Sequence, residues 1–258
     1  MKLERNLYGC KQAAQNWFLH LTKGLLKLGF CQSATDKCMF LRDDCILVVY
    51  VDDCLIFAQQ DDTMNALIKA LLADFLLQDE GDVNAFLGVQ IHKDASTKSI
   101  TLTQPSLTQQ ILQDVGIRGQ SNGKDASADA ILYADLDGLE RVDSWNYHSV
   151  IGKLNYLANN TWPDISMAVH QCARYGSNPK ALHELAVKRI ARYLLVTQSK
   201  GLVLHPTADM SLNMFVDADF AGRWHKDYTE LRDSVLSRTG YVIQFCSCPI
   251  TWGEQTSK

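Results

Sequence analysis

The run Cys45-Ile46-Leu47-Val48-Val49-Tyr50-Val51-Asp52-Asp53-Cys54-Leu55-Ile56-Phe57-Ala58 constrains this chain more than any other stretch. Apolar and β-branched residues lead into two adjacent aspartates and apolar residues lead out again, the pattern of a buried strand, a tight turn and a returning strand. Hairpin turns favour Asn-Gly or Asp-Gly, which tolerate positive φ, so an Asp-Asp pair here concentrates negative charge beside a core. A solvated acidic turn is one explanation. The other is a rigid hairpin whose carboxylates hold divalent metal ions at fixed spacing for phosphoryl transfer.

With 258 residues, 47% hydrophobic and 21% charged, the chain can form one large domain or two modest ones, each with a core. A formal net charge of -4 gives no global attraction to a polyanion, so any such binding must come from local basic faces or from metal ions. The cysteines lie in apolar segments without paired zinc spacing. Cys246-Ser247-Cys248 and the His170/Cys172 pair read as buried small residues, not ligands. Nothing in the sequence resembles a signal peptide or an apolar run long enough to span a membrane, and the expected setting is reducing and intracellular.

Taken in order, Ala14, Trp17, Phe18, Leu21, Leu25 and Leu28 recur at helical spacing and predict a helix over Lys11–Lys27 that ends at Gly29. A second helix, capped by Asp61 or Asp62, carries the stripe Met64, Leu67, Ile68, Leu71, Leu72 and Phe75 and is expected to pack under the sheet. Residues 85–92 and 99–104 read as a further strand pair, stopped by Pro105 ahead of a short helix over 106–115. Residues 116–143 lack periodicity and read as a flexible linker. Helices are expected over 145–158, 163–175 and 180–195. The last places Lys188 and Arg192 one turn apart, on either a solvated face or a phosphate-tracking one. Strands then follow at 201–205, 212–217, 241–245 and 249–252 around a charged loop at 223–238, as a sheet expected to be unfinished at Lys258.

Six motifs in one order carry a resemblance: Leu7-Tyr8-Gly9-Cys10-Lys11-Gln12-Ala13, Tyr50-Val51-Asp52-Asp53, Phe86-Leu87-Gly88-Val89, residues 147–156 with Pro163-Asp164-Ile165, Arg192-Tyr193-Leu194, and Val216-Asp217-Ala218-Asp219-Phe220-Ala221-Gly222. Together they resemble the reverse transcriptase and RNase H region of a copia-type long-terminal-repeat retrotransposon polyprotein. The resemblance implies an α+β chain. Its parts would be an incomplete right-hand polymerase palm over 1–104, thumb and connection helices over 105–198, and the truncated N-terminal part of an RNase H-like domain over 199–258. The implied activity is RNA-directed DNA polymerisation with Mg2+ or Mn2+. The implied partners are an RNA template, a DNA primer, the RNA/DNA hybrid and deoxynucleoside triphosphates, in a cytoplasmic particle or the nucleus.

Residue by residue, the resemblance makes Asp52 and Asp53 catalytic metal ligands beside Tyr50. It makes Tyr50 a substrate- or template-binding residue, and puts Tyr8, Gly9 and Gln12 near the incoming nucleotide and template, where a missing side chain permits close approach. Phe86 and Gly88 would belong to a primer-positioning hairpin, Lys188 and Arg192 to a phosphate-contacting face, and Asp217 to the start of an RNase H-like site. The family's first metal-binding aspartate is expected upstream of the Tyr8-Gly9 turn, and its RNase H glutamate beyond Lys258, with Glu4, Asp219 and Glu254 no substitutes. The 258-residue chain is therefore expected to be inactive alone, the alternative being a non-catalytic nucleic-acid-binding module. Ala14, Gln15 and Trp162 stand where the family tends to have proline or arginine.

Overall fold

The computed structural model describes residues 9–119, 122–220 and 236–256. It is a mixed α/β structure of antiparallel sheets and helices in two compact units, Met1–Val83 and Asn84–Lys258.

In the first unit, helix α1 (Lys11–Lys27) precedes a four-stranded antiparallel sheet in sequential order: β1 (Cys31–Gln32), β2 (Met39–Arg42), β3 (Cys45–Tyr50) and β4 (Asp53–Ala58). Helix α2 (Asp61–Asp74) follows. As Gly29 foretold, α1 ends there: Gly29 sits at φ +86, and the Phe30 amide bonds back to the Leu25 carbonyl at 3.1 Å. Arg42 completes the end, donating to the Leu28 carbonyl at 3.0 Å while paired with Asp44. The α2 stripe packs in part: Leu67, Leu71 and Phe75 lie against Leu21, Leu25, Phe40, Leu47 and Val49, whereas Leu72, read as part of the same stripe, is exposed. A Cβ on Gly24 would come within 2.4 Å of the Phe75 ring, so α1 needs a residue without a side chain at that point.

In the second unit, β5 (Ala85–Phe86), β6 (Val89–Asp94), β7 (Ser99–Thr103) and β8 (Leu202–Leu204) form an antiparallel sheet. Pro105 opens α3 (Pro105–Asp114); α4 (Tyr147–Asn160) is capped by Asn146, whose side chain accepts from the Ser149 amide at 3.0 Å. After a 3-10 turn at Pro163–Ile165 come α5 (Ser166–Ala173) and α6 (Ala181–Thr197). The helices share one core through Ile111, Val150, Leu154, Leu157, Val169, Val187, Ile190 and Leu194. The last strands, β9 (Leu212–Asp219), β10 (Arg238–Phe245) and β11 (Cys248–Thr256), form a three-stranded sheet in the order β11-β10-β9. Most of the charged stretch at 223–238 lies outside the described residues, and its last residue, Arg238, already belongs to β10.

Three placements differ from the sequence reading, and the first is the start of α2, where Gln60 is the N-cap, without a side-chain bond, and Asp61 and Asp62 lie in the first turn. The strand at 202–204, read with the final sheet, instead pairs with β7 in the register Thr101↔Val203, a non-local match that no local pattern encodes. Residues 116–143 have almost no regular structure among those described, yet they are tied down. The Leu132 amide donates to Gln171 Oε1 at 2.9 Å, the Tyr175 hydroxyl donates to the Leu132 carbonyl at 2.8 Å, and Lys180 pairs with Glu140.

Candidate functional site

The aspartates sit where the β3–β4 hairpin reverses. Tyr50 pairs with Asp53, leaving Val51 and Asp52 as the two-residue turn, so the charge is split between the turn and the first residue of β4. Cys45, Leu47 and Val49 face the core from β3, with Cys54, Ile56 and Ala58 beside them from β4. Tyr50 and Asp53 therefore share the opposite face with Ile46, Val48, Leu55 and Phe57. Both carboxylates are exposed. Burial, with the charge of Asp53 beside it, raises the Cys54 thiol above its ordinary range.

The positive φ that Asp-Gly would ordinarily supply falls on Val51, at +52. A β-branched residue in this region is strained by about 1–2 kcal/mol, and strain of this kind concentrates at functional sites. Support comes from α1: Trp17 Nε1 donates to the Val51 carbonyl at 3.3 Å, and the Trp17 ring stands edge-on to Phe75 at 6.1 Å. Trp17 entered the sequence reading only as an apolar helix position; a lone indole N–H seeking an acceptor was the signal there to be found. On the same helix, Gln12 is exposed in the first turn, and Gly9 just ahead of it has φ +88 with open space where a side chain would stand. Tyr8 lies outside the described residues.

The other site residues belong to the second unit. Phe86 ends β5, and the Leu87-Gly88 turn takes φ +50 and +77, bringing Phe86 opposite Val89. Lys188, a candidate for phosphate contact, is half-buried and engaged by its own chain: its Nζ pairs with Asp143 and, at 3.0 Å, with Glu184. Against the burial that disfavours its charge, these carboxylates raise the ammonium above its ordinary value, and Lys188 in turn lowers Asp143. Arg141 joins the same nearly buried Glu184 at 3.3 Å. Arg192 is half-buried with its Nε lacking a hydrogen-bond partner, and its neighbour Arg189 pairs with Asp129. Trp162 is buried in the helical core, and Asp164 accepts from the Tyr193 hydroxyl, which pushes that phenol up to about 12.

Asp217 lies exposed on β9 opposite Gly240, which pairs in turn with Glu254 on β11. Glu254 is committed to Arg238 at 2.6 Å, with His170 Nδ1 3.5 Å away. Among the described residues no group of three or more His, Cys, Asp or Glu side chains is placed to hold a metal ion. The donor set at the hairpin, two exposed carboxylates on a braced turn, does fit a hard cation such as magnesium.

Residues 1–126 match the reverse transcriptase (RNA-dependent DNA polymerase) family. The chain belongs to that family and, within it, to the copia-type transposon polyproteins. It is 29% identical over its full length to the retrovirus-related Pol polyprotein from transposon RE1 of Arabidopsis thaliana, of which it spans 17%. It is 27% identical, again over its full length, to a putative transposon Ty5-1 protein of Saccharomyces cerevisiae, covering 82% of that chain. An uncharacterized mitochondrial protein of Arabidopsis thaliana matches at 31% identity over 68% of this chain and 72% of its own. No solved structure matches. Among the described residues no helix is long and apolar enough to cross a membrane.

Proposed function

We propose that this chain contributes the palm turn of an RNA-directed DNA polymerase, with Asp52 and Asp53 as its metal-binding carboxylates. The observation that carries this is the two-residue Val51-Asp52 turn, strained, exposed and braced by Trp17, on a hairpin inside the matched region. Magnesium or manganese bound there would neutralise charge on a triphosphate and lower the pKa of a primer hydroxyl. The chain's own part is mechanical and electrostatic. The β3–β4 register holds Asp53 on the face shared with Tyr50, the Trp17 bond limits movement of the turn, and Gly9 with Gln12 leaves open space at the start of the helix carrying Trp17. The substrates of this reading are an RNA template, a DNA primer and deoxynucleoside triphosphates, with the RNA/DNA hybrid as product, in a cytoplasmic particle or the nucleus. The region from Asn84 through α6 would serve as primer hairpin, thumb and connection. The β9–β11 sheet would open an RNase H-like domain, with Asp217 as its first carboxylate.

Two-metal catalysis uses a carboxylate that bridges the ions. In this reading Asp52 and Asp53 supply part of the donor set, and the 258-residue polypeptide alone binds manganese weakly and does not extend a primer. Manganese titration followed by electron paramagnetic resonance tests the site: weak binding that disappears in Asp52→Asn supports it, and binding unaffected by that change sinks it. Template-dependent extension by the purified wild-type chain would overturn the inactivity while leaving the assignment of the turn standing. Filter binding of an RNA/DNA hybrid across a salt series addresses the alternative of a purely binding module, which requires a steep salt slope. The internal pairing of Lys188 weighs against that alternative.

A further inference from the structure

The Leu87-Gly88 turn is fixed from a distance. β5 lends only Ala85 and Phe86 to the pairing with β6, and both turn residues are left-handed, at φ +50 and +77, a conformation natural for glycine and strained for leucine. A hairpin this short has little of its own to hold its tip. Helix α4 supplies the missing constraint: the Tyr156 hydroxyl donates to the Leu87 carbonyl at 2.6 Å, across 69 residues of sequence. The helix is a firm base, because the neighbouring Leu154 and Leu157 are fully buried. Its last turn is gripped on further sides. Trp252 Nε1 of β11 donates to the Ala158 carbonyl at 2.9 Å, and Thr161, the C-cap, donates to buried Gln104 Oε1 at 2.8 Å where β7 passes into α3. Asn160 Nδ2 donates to the Tyr156 carbonyl at 2.7 Å.

We propose that Tyr156 is a positioning residue for the primer strand. It fixes the Leu87-Gly88 turn in the one conformation that presents the bare backbone of Gly88 outward, and Trp252 and Thr161 hold the helix turn from which it reaches. This rests on the reading of the 86–89 hairpin as the primer-positioning element. The Leu87 carbonyl is already taken by Tyr156, so the turn offers nucleic acid its other side: Gly88 is exposed, with nothing within 4 Å of where a Cβ would stand. A sugar-phosphate backbone can approach such a surface closely. The coupling also runs the other way. A change at Trp252 on β11 reaches the hairpin through the α4 turn that both side chains contact.

Tyr156→Phe keeps the ring and removes the donor. On the full chain, hydrogen exchange read by mass spectrometry is expected to quicken about five-fold in the peptide over 84–92, the value of one net hydrogen bond, with the α4 core unchanged. In parallel, a DNA primer with a photoreactive 3′ end, annealed to an RNA template, is expected to cross-link to residues 86–89 of the wild type and to lose most of that yield in Tyr156→Phe. The salt dependence of total hybrid binding stays the same. Trp252→Phe gives the same direction at smaller size. Unchanged exchange overturns the positioning role, as does faster exchange with equal cross-linking in both proteins. If exchange quickens but the wild type itself shows no cross-link at 86–89, the primer reading of the hairpin falls, which separates that failure from a failure of the Tyr156 contact.

Discussion

His183 sets a pH limit on the helical unit. The ring is fully buried, stacked on Tyr175 at 4.3 Å. Its Nδ1 accepts from the Lys180 amide at 2.9 Å, which leaves the proton on Nε2 to donate to the Tyr133 carbonyl at 2.7 Å. A second proton has no place: at Nδ1 it would face an N–H and bring charge into the core. Burial accordingly holds the imidazole below its usual range, against the opposing pull of the Tyr133 carbonyl and Asp135. With the folded pKa depressed, the contribution to stability is complete above the unfolded value of about 6.5 and is lost as pH falls below it, because the unfolded chain takes up the proton first. If the folded ring stays neutral, moving from about pH 6.5 to about pH 5.5 costs about 1 kcal/mol for this one group.

The measurement is urea unfolding at a series of pH values, followed by tryptophan fluorescence, in the wild type and in His183→Asn. The asparagine keeps an acceptor towards Lys180 and does not titrate. The variant is expected to be less stable at neutral pH, through the lost Tyr133 bond, but flatter by up to about 1 kcal/mol between those pH values. His170, whose pKa is also lowered by burial although Glu254 opposes it, stays in both proteins and cancels from the difference. A variant with the full wild-type pH dependence would refute the reasoning.

Two further outcomes follow from the first unit. Val51→Gly relieves roughly 1–2 kcal/mol of left-handed strain against about 0.5–1 kcal/mol of added chain entropy, and Val51 is too exposed to lose much burial. Thermal unfolding should show that unit unchanged or slightly more stable, while the freer turn binds manganese less tightly; marked destabilisation would contradict the assigned turn. Gly24→Ala drives a methyl into the Phe75 ring and should cost about 1–3 kcal/mol, whereas the double change with Phe75→Leu should recover part of the loss in a denaturant titration.

What was legible in the sequence was whatever rests on local period and punctuation. The α1 stripe with its Gly29 stop, the α2 face, the aspartate hairpin and the strand-stopping Pro105 all reappear, because each is decided within a few residues of chain. The family was legible from several motifs in one order and is shown by the comparisons. Most of the losses have one physical source. The β7–β8 pairing, the ties at Leu132 and Glu140, the Trp17 bond to Val51 and the Tyr156 bond to Leu87 depend on partners far away in sequence. The fate of Lys188 was hidden in part for the same reason: Glu184 is one helical turn away, but Asp143 reaches the ammonium only through the fold. The left-handed turn position was hidden because valine is among the last residues that sequence rules would put there.

The two-residue link between β3 and β4 makes the hairpin discontinuous in what it tolerates. Side chains alternate with a period of two, so one inserted or deleted residue in the turn inverts the whole of β4: Asp53 would swing towards the core, while Cys54 and Ile56 would turn out to water. Point substitutions at Val51 alter strain by small steps, but a change in length has no small version. Across descendants of such a gene, residue identities along this hairpin can drift one at a time while its length stays fixed. A single-codon deletion there would remove the carboxylate from its face and unmake the core of the unit in one event.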